Sequence, residues 1–205
     1  MVRSLIQQTG AERNGHFKIG EYHSRSWISD ELMLAKAQQL WNLCRYLAQQ
    51  MLLRVNPAPE AVVGLAPDGI ALVQPIGAAI AAQYMNLPGW QDRAGNFDSL
   101  YADEQYQFLP EYEHLLAKRE VIVVQTVIYT GKVTGRLIEA IQARGGHVGA
   151  VGAIITRGRA TRPAIGDVPV IALYDYSVED ALADDCDLCK AGVPITDPKT
   201  MRLKQ

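Results

Sequence analysis

Cysteine is scarce in this chain: there are three in 205 residues, one isolated (Cys44) and two in the tail segment CDLC (Cys186, Cys189). So few cannot form a disulfide framework, and they fit a reducing compartment. No uninterrupted apolar stretch approaches the length of a membrane span. The opening MVRSLIQQTGAERNG has no long apolar run of the secretory kind, so the expectation is a soluble, cytoplasmic protein with no membrane partner. Basic clusters are missing as well. Twenty Lys and Arg face 22 Asp and Glu, for a net charge of −2 and a pI near 6.1. That balance removes the electrostatic case for nucleic acid, and no helix-turn-helix segment is visible. Internal repeats and low-complexity linkers are absent too, so a single domain over 1–205 is expected. One absence is local. Between Val55 and Ala117 there is no lysine and one arginine, Arg93, against eight carboxylates, a segment charge of −7.

What is present is an ordinary apolar fraction of 48% arranged in alternating elements. Residues 31–54 place Leu32, Leu40, Leu43, Leu47 and Met51 at helical spacing, with Asp30 ahead as an N-cap. NPAPE breaks that helix. AVVGLAP then reads as a short strand and DGIALVQPIGAAIAAQYMN as a second helix. Residues 86–116 have turn formers, scattered aromatics and no period, and read as a long loop or hairpin. Trp90, Phe97, Tyr101, Tyr106 and Phe108 within it are of the kind that tether a loop, or else stack on a base or a partner. A strand over 120–125, a helix over 133–144, a Gly-rich turn into another apolar strand in GGHVGAVGAIITRG, and a further strand in VPVIALYDYS follow. This alternation predicts an α/β fold with a mostly parallel sheet and helices on both faces. Residues before about 30 and after about 178 become peripheral additions.

Ligands of such sheets sit beyond the carboxyl ends of the strands. Two strand ends have Gly-containing turns that lead into helices: GLAPDGIA (64–71) and QTVIYTGKVT (125–134). Each can present backbone N–H groups and a helix N-terminus to an anion. Each is also what any strand–helix connection requires.

Four segments in one order carry a resemblance: GHFKIGEYHSRSWIS, VVGLAPDGIALVQPIGAAIA, VIVVQTVIYTGKVTGRLIEAIQARGGHVGAVGAIITR and the tail CDLCKAGVPI. Together they resemble the type I phosphoribosyltransferases, most closely the orotate phosphoribosyltransferases, over nearly the whole chain except 86–116. The resemblance implies a doubly wound parallel sheet with a small hood made from the chain ends, and a homodimer. It also implies a reaction that joins orotate to the ribose of phosphoribosyl pyrophosphate (PRPP) with Mg²⁺, within pyrimidine nucleotide metabolism. The phosphate cradle of the family falls on Tyr129, Thr130, Gly131, Lys132, Val133 and Thr134. The pyrophosphate loop falls on Ala66, Pro67, Asp68 and Gly69.

The same comparison marks departures. The adjacent acids that hold the ribose hydroxyls in the family fall here on Gln125 and Thr126, neither of which carries charge. The mobile lid that should bring Lys and His over the pyrophosphate corresponds to about 90–116, where His114 is the one candidate proton donor. The family's N-terminal lysine is unmatched, because Lys18 lies two positions early. Asp68 beside pyrophosphate is repulsive unless a metal intervenes, or is simply the cap of the following helix. The expectation is therefore a family member with impaired or altered catalysis that retains binding of PRPP, a nucleotide or a phosphosugar, needing Mg²⁺ if active and no cofactor otherwise. A fully active transferase and a non-enzymatic regulatory or partner-binding protein remain open. The Cys186–Cys189 pair reads as a structural turn near the hood, as half of a metal site that needs His or a partner to complete it, or as a redox pair.

Overall fold

The computed structural model describes residues 2–157, 162–178 and 180–203. Helix α1 (Val2–Thr9) leads into an antiparallel hairpin, β1 (Glu12–Ile19) and β2 (Tyr22–Ile28). Two helices follow, α2 (Asp30–Leu34) and α3 (Ala37–Leu52), then β3 (Ala61–Leu65) and α4 (Ile70–Met85). The middle of the chain forms α5 (Gln91–Gly95), β4 (Asp98–Ala102), α6 (Glu113–Leu116), β5 (Glu120–Ile128) and α7 (Lys132–Gln142). Next come β6 (His147–Thr156), α8 (Arg162–Ile165), β7 (Val170–Asp175), a short β8 (Ala181–Leu182) and α9 (Asp187–Lys190).

Five parallel strands stand in the order β4-β3-β5-β6-β7. Successive side chains of a strand point to opposite faces, and the core divides accordingly. Val62, Ile122, Val124 and Ile154 pack under α1, α3 and α4. Ala61, Val63, Val121 and Val123 pack under Leu137, Ile138 and Ile141 of α7, with Leu116 of α6. Each such buried aliphatic side chain contributes about 1.5–3 kcal/mol, so these two layers hold the fold. The expected doubly wound α/β sheet is what forms. Its strand order reverses between β3 and β5, the position where such sheets open toward ligands.

The hood is a second sheet, β1-β2-β8, antiparallel throughout. Its interior differs in kind. His16, His23, Ser24, Ser26 and Thr196 are buried there, alongside only a few apolar groups such as Phe17 and Ile28.

Two expectations need correction. Residues 86–116 are not a featureless loop, because Asp98–Ala102 is the parallel edge strand beside β3. Its signature is weak: only Leu100 and Ala102 are buried, and Asp98 is polar because it pairs with Arg119. Arg119 also donates to the carbonyls of Glu60 (2.6 Å) and Asn96 (2.7 Å), fastening that edge. The helix read over 31–54 is two helices. Ser29, not Asp30, caps the first, its Oγ accepting from Leu32 N at 3.4 Å. No Gly or Pro marks the break at Ala35–Lys36, so the apolar period runs through it unnoticed.

Candidate active-site cleft

β3 and β5 pair only over Ala61–Val63 and Val121–Val123. Beyond that register they separate, and a cleft of about 250 Å³ opens between their carboxyl ends. One wall is the turn after β3. There a side chain at Gly69 would stand 2.4 Å from the backbone N of Leu65, so only glycine allows the chain to fold back this tightly. The Gly69 N–H donates to Leu65 O at 2.7 Å. The other wall is the β5–α7 turn, where Gly131 takes φ 74° as the N-cap of α7 and has no side chain to cap the helix; the Lys132 N–H donates to Thr130 Oγ1 at 3.4 Å. Backbone N–H groups in that first turn are the ones a helix cannot satisfy internally.

The residues assigned to the phosphate cradle divide. Thr130, Gly131, Val133 and Thr134 line the cleft. Lys132 is not among the lining residues. Its Nζ pairs with Glu21 Oε1 at 2.8 Å on the exposed hairpin tip, and that pairing holds the Glu21 carboxyl below its ordinary range. Tyr129 lines the cleft but is fastened to the hood. Its hydroxyl donates to Ile28 O at 2.7 Å, its ring stacks on Trp27 at 4.6 Å, and burial raises its pKa.

Gln125 and Thr126 both line the cleft. Thr134 Oγ1 donates to Gln125 Oε1 at 2.5 Å, so this carboxamide is already engaged. Thr126 is buried and its hydroxyl has no hydrogen-bond partner. Ala66, Asp68 and Gly69 line the opposite side, and Pro67 lies in the same turn but faces outward. Asp68 does not cap α4; Gly69 occupies the N-cap with no side-chain bond. The Asp68 carboxyl is instead half-buried at the cleft, its pKa raised by burial and by Glu31.

Two lining residues escaped the sequence reading. Trp27 and Asp30 enter from the hood side, across about a hundred residues of chain, and no local motif announces that. Burial, Asp68 and Glu31 push the Asp30 carboxyl up to about 8, and its Oδ1 is buried without a hydrogen-bond partner.

The stretch that corresponds to the family's lid contains a tight turn. Asp103 Oδ1 accepts from the N–H groups of Gln105 (2.9 Å) and Gln107 (2.8 Å), drawing 103–107 into a tight turn. His114 is exposed on α6 and does not line the cleft. Lys18 is exposed on β1, also outside it.

No family model matches the chain. Curated relatives do. Orotate phosphoribosyltransferase of Caulobacter vibrioides is 29% identical over 207 residues, covering 99% of this chain and 97% of that protein. The enzyme of the same name from Desulforamulus reducens is 26% identical, covering 98% and 97%. The chain is a relative of the orotate phosphoribosyltransferases. Solved structures agree on the type I phosphoribosyltransferase fold. Orotate phosphoribosyltransferase from Aeropyrum pernix superposes with a TM-score of 0.60 at 20% identity, over 85% of this chain and 94% of that one. The Mycobacterium tuberculosis orotate phosphoribosyltransferase, solved with inorganic phosphate, gives 0.60 at 15% identity, over 85% and 93%.

Proposed function

We propose that this orotate phosphoribosyltransferase relative binds one phosphate-bearing small molecule, a nucleoside monophosphate or a phosphosugar, in the β3–β5 cleft, with transfer from PRPP impaired or altered. One observation carries the impaired transfer: the cleft is lined by two carboxyl groups and, among the described residues, by no lysine, arginine or histidine. A single phosphate can be met by the N-terminus of α7. A pyrophosphate beside Asp68 cannot be met so simply. Two like charges about 4 Å apart near a protein surface repel by about 4 kcal/mol. At the sugar, Gln125 and Thr126 offer no negative charge to the anomeric carbon, and each such missing electrostatic group is worth about 10²–10³ in rate.

Mg²⁺ is the ion the family's chemistry implies. The donor set fits it: Asp68 and the unpartnered Oδ1 of Asp30 are hard oxygen ligands, of the kind that hold Mg²⁺ together with substrate phosphates. When bound, the ion would neutralise phosphate charge. Asp68 would hold it, joined by Asp30 once the ion displaces that carboxyl's proton, and Thr130, Gly131, Val133 and Thr134 would orient the 5′-phosphate.

A second reading, a transfer-competent enzyme, has its own support. Asp30 and Asp68 bring two carboxyls to the cleft from the side opposite Gln125 and Thr126. Asp30, held neutral below about pH 8, would donate a hydrogen bond rather than stabilise positive charge, which is why the binding reading is preferred. Assembly as a homodimer in the cytoplasm belongs to either reading, and sedimentation of the purified chain checks the dimer.

The deciding experiment titrates the protein calorimetrically with ribose 5-phosphate, orotidylate and PRPP, with and without Mg²⁺, and follows orotate consumption in parallel. The expected result is saturable binding of the monophosphates, PRPP that binds no tighter than ribose 5-phosphate without Mg²⁺, and orotate turnover at least about 10²-fold below what an intact acid pair supports. Rapid orotidylate formation would replace this reading with the second one. Absence of any phosphate-ligand binding would remove both.

A further inference from the structure

Beneath the hood, four side chains from opposite ends of the chain converge. His16 on β1, His23 on β2, Cys186 just before α9 and Cys189 within it place one ligand atom each within 4.8 Å of one another. His16 Nε2 stands 2.8 Å from His23 Nδ1. Cys189 Sγ is 3.1 Å from His23 Nδ1 and 3.6 Å from His16 Nε2. Cys186 Sγ is 3.6 Å from His16 Nε2. A tetrahedral zinc ion, with Zn–S about 2.3 Å and Zn–N about 2.0–2.1 Å, has ligand–ligand edges of about 3.3–3.8 Å. The two Cys–His16 distances of 3.6 Å match those edges, the two shorter contacts have to open by about 0.3–0.6 Å to admit the ion, and all four atoms lie within 4.8 Å of one another, so side-chain adjustments of that size close the site.

The second shell points the same way. His16 Nδ1 lies 2.7 Å from the carbonyl of Val193. A carbonyl only accepts, so the ring's proton is on Nδ1 and the Nε2 lone pair is turned into the cluster. A backbone carbonyl on the far nitrogen is the usual way a protein orients a metal-binding imidazole.

We infer that His16, His23, Cys186 and Cys189 form a structural Cys₂His₂ zinc site that fastens the tail to the hood. Two neutral imidazoles and two thiolates balance the charge of Zn²⁺, so the filled site adds no net charge to a buried region. Four protein ligands leave no open coordination position, which makes the site structural rather than catalytic. None of the four lines the β3–β5 cleft. The inference therefore stands whichever function that cleft has.

The hood also needs such a fastening. β8 joins β2 through only two register pairs, Tyr22 with Leu182 and His23 with Ala181. The tail returns to β1 through the Thr196 N–H to His16 O bond at 2.6 Å. The interior is largely polar. One metal ion would bind three segments here, two of them separated by about 170 residues of chain whose closure is entropically costly.

The test begins with the full-length protein purified without chelator, its metal measured by mass spectrometry. One zinc per chain is expected. After removal with a strong chelator, Zn²⁺ alone should restore one equivalent, and Co²⁺ in its place should give tetrahedral d–d bands with thiolate-to-cobalt charge transfer. Alkylation followed by peptide mass mapping should find Cys186 and Cys189 protected in the zinc form and labelled after chelation. This arm needs no variant and so does not depend on a mutant folding. Cys186→Ser and His16→Ala should each weaken zinc affinity at least tenfold. Cys44→Ala should keep the full stoichiometry, because that thiol lies in the main core, outside the cluster. A protein that neither carries nor takes up zinc, an octahedral cobalt spectrum, or a Cys186–Cys189 disulfide in the cell-extracted protein would each overturn the inference.

Discussion

The cleft between β3 and β5 and the cluster beneath the hood are both polar sites, assembled in opposite ways. In the cleft the backbone turns carry the site. The Gly69 turn and the Gly131 cap of α7 are in place, and the side chains at the end of β5 that face the opening, Gln125 and Thr126, are uncharged. In the hood cluster no stretch of backbone stands out, yet four side chains of the correct chemistry meet within 4.8 Å. A phosphate loop is a local motif whose glycines can persist after the charged groups are lost. A metal cluster is a tertiary fact, and its separated ligands have no other reason to meet. Convergence of side chains is therefore the stronger indication of a working site, and familiar loop sequence the weaker one.

The largest expected effect tests that ranking directly. Stripping metal from the purified protein should lower Tm by more than any single conservative change in the cleft. Structural zinc contributes about 10–16 kcal/mol of apparent free energy in small zinc domains, and even a fraction of that exceeds a typical point mutation of about 1 kcal/mol. Calorimetric scans before and after chelation measure it. Equal Tm values would mean that the cluster holds no structural metal.

Next comes the residue that joins the two regions. Arg157 is 4% exposed. It donates to Ser26 O at 2.9 Å, to Ser24 Oγ at 2.8 Å and to Asp180 Oδ1 at 2.9 Å, and lies over the Tyr129 ring. Arg157→Met leaves three acceptors without their donor and should cost about 3 kcal/mol, or about 6–12 °C in Tm for a chain of this size. Phosphosugar affinity should fall with it, because Tyr129 loses its support. Unchanged affinity in a folded variant would separate hood from cleft.

Restoring the family's acids probes the cleft itself. Gln125→Glu keeps the bond from Thr134, now charge-assisted, and should change stability by less than about 1 kcal/mol while raising affinity for PRPP with Mg²⁺ about tenfold. Thr126→Asp places an unpaired carboxylate at a 2% exposed position and should cost about 3 kcal/mol or more. Chemical denaturation and calorimetry read the two effects. Failure of Gln125→Glu to change PRPP affinity would mean that the charge at this position does not set PRPP binding.

These residues also show what could be read from the chain. The sheet was legible because the core of β5, Val121 to Val124, is a continuous apolar run and α7 repeats Leu137, Ile138 and Ile141 at helical spacing. β4 was not, since its two buried side chains sit between polar ones that matter only through Arg119 and Ser99, the latter donating to Val73 O at 3.1 Å. In the cleft, the turn residues were legible because a tight backbone demands glycine locally. Asp30 and Trp27 were not, because the hood delivers them and nothing near them in sequence says so. The CxxC pair was visible as half a site. Its completing histidines lie on one hairpin near a register shift of β1 between Asn14 and Phe17, an irregularity with no period to detect.

A smaller effect concerns pH. The Asp30 carboxyl, at about 8 when folded against 3.8 ordinarily, binds a proton in the folded state that the unfolded chain has released. Between about pH 4 and 8 its contribution to stability therefore falls as pH rises. Asp30→Asn removes that slope. The variant should gain about 1–3 kcal/mol over the wild type at pH 8 and lose the advantage toward pH 5, as thermal melts across that range would show. A parallel pair of pH curves would mean that Asp30 is ionised in the cleft, as a sugar-stabilising acid would need to be.

The smallest effect is expected where the sequence looked most suggestive. Lys132 stands next to the cradle turn and invites a role in holding phosphate. Its ammonium instead meets Glu21 on the exposed hairpin tip, with side chains 59% and 71% accessible, and ion pairs so exposed contribute little because water and salt screen them. Lys132→Ala should leave Tm and ribose 5-phosphate affinity unchanged at physiological salt. Gly131→Ala, which forces a side chain into φ 74°, should weaken binding by distorting the N-terminus of α7. If Lys132→Ala weakens binding instead, the lysine leaves Glu21 when ligand arrives and the cleft gains a cation on binding. The contrast with the preassembled hood cluster would then be one of timing, because only the cleft would assemble its charges around a ligand.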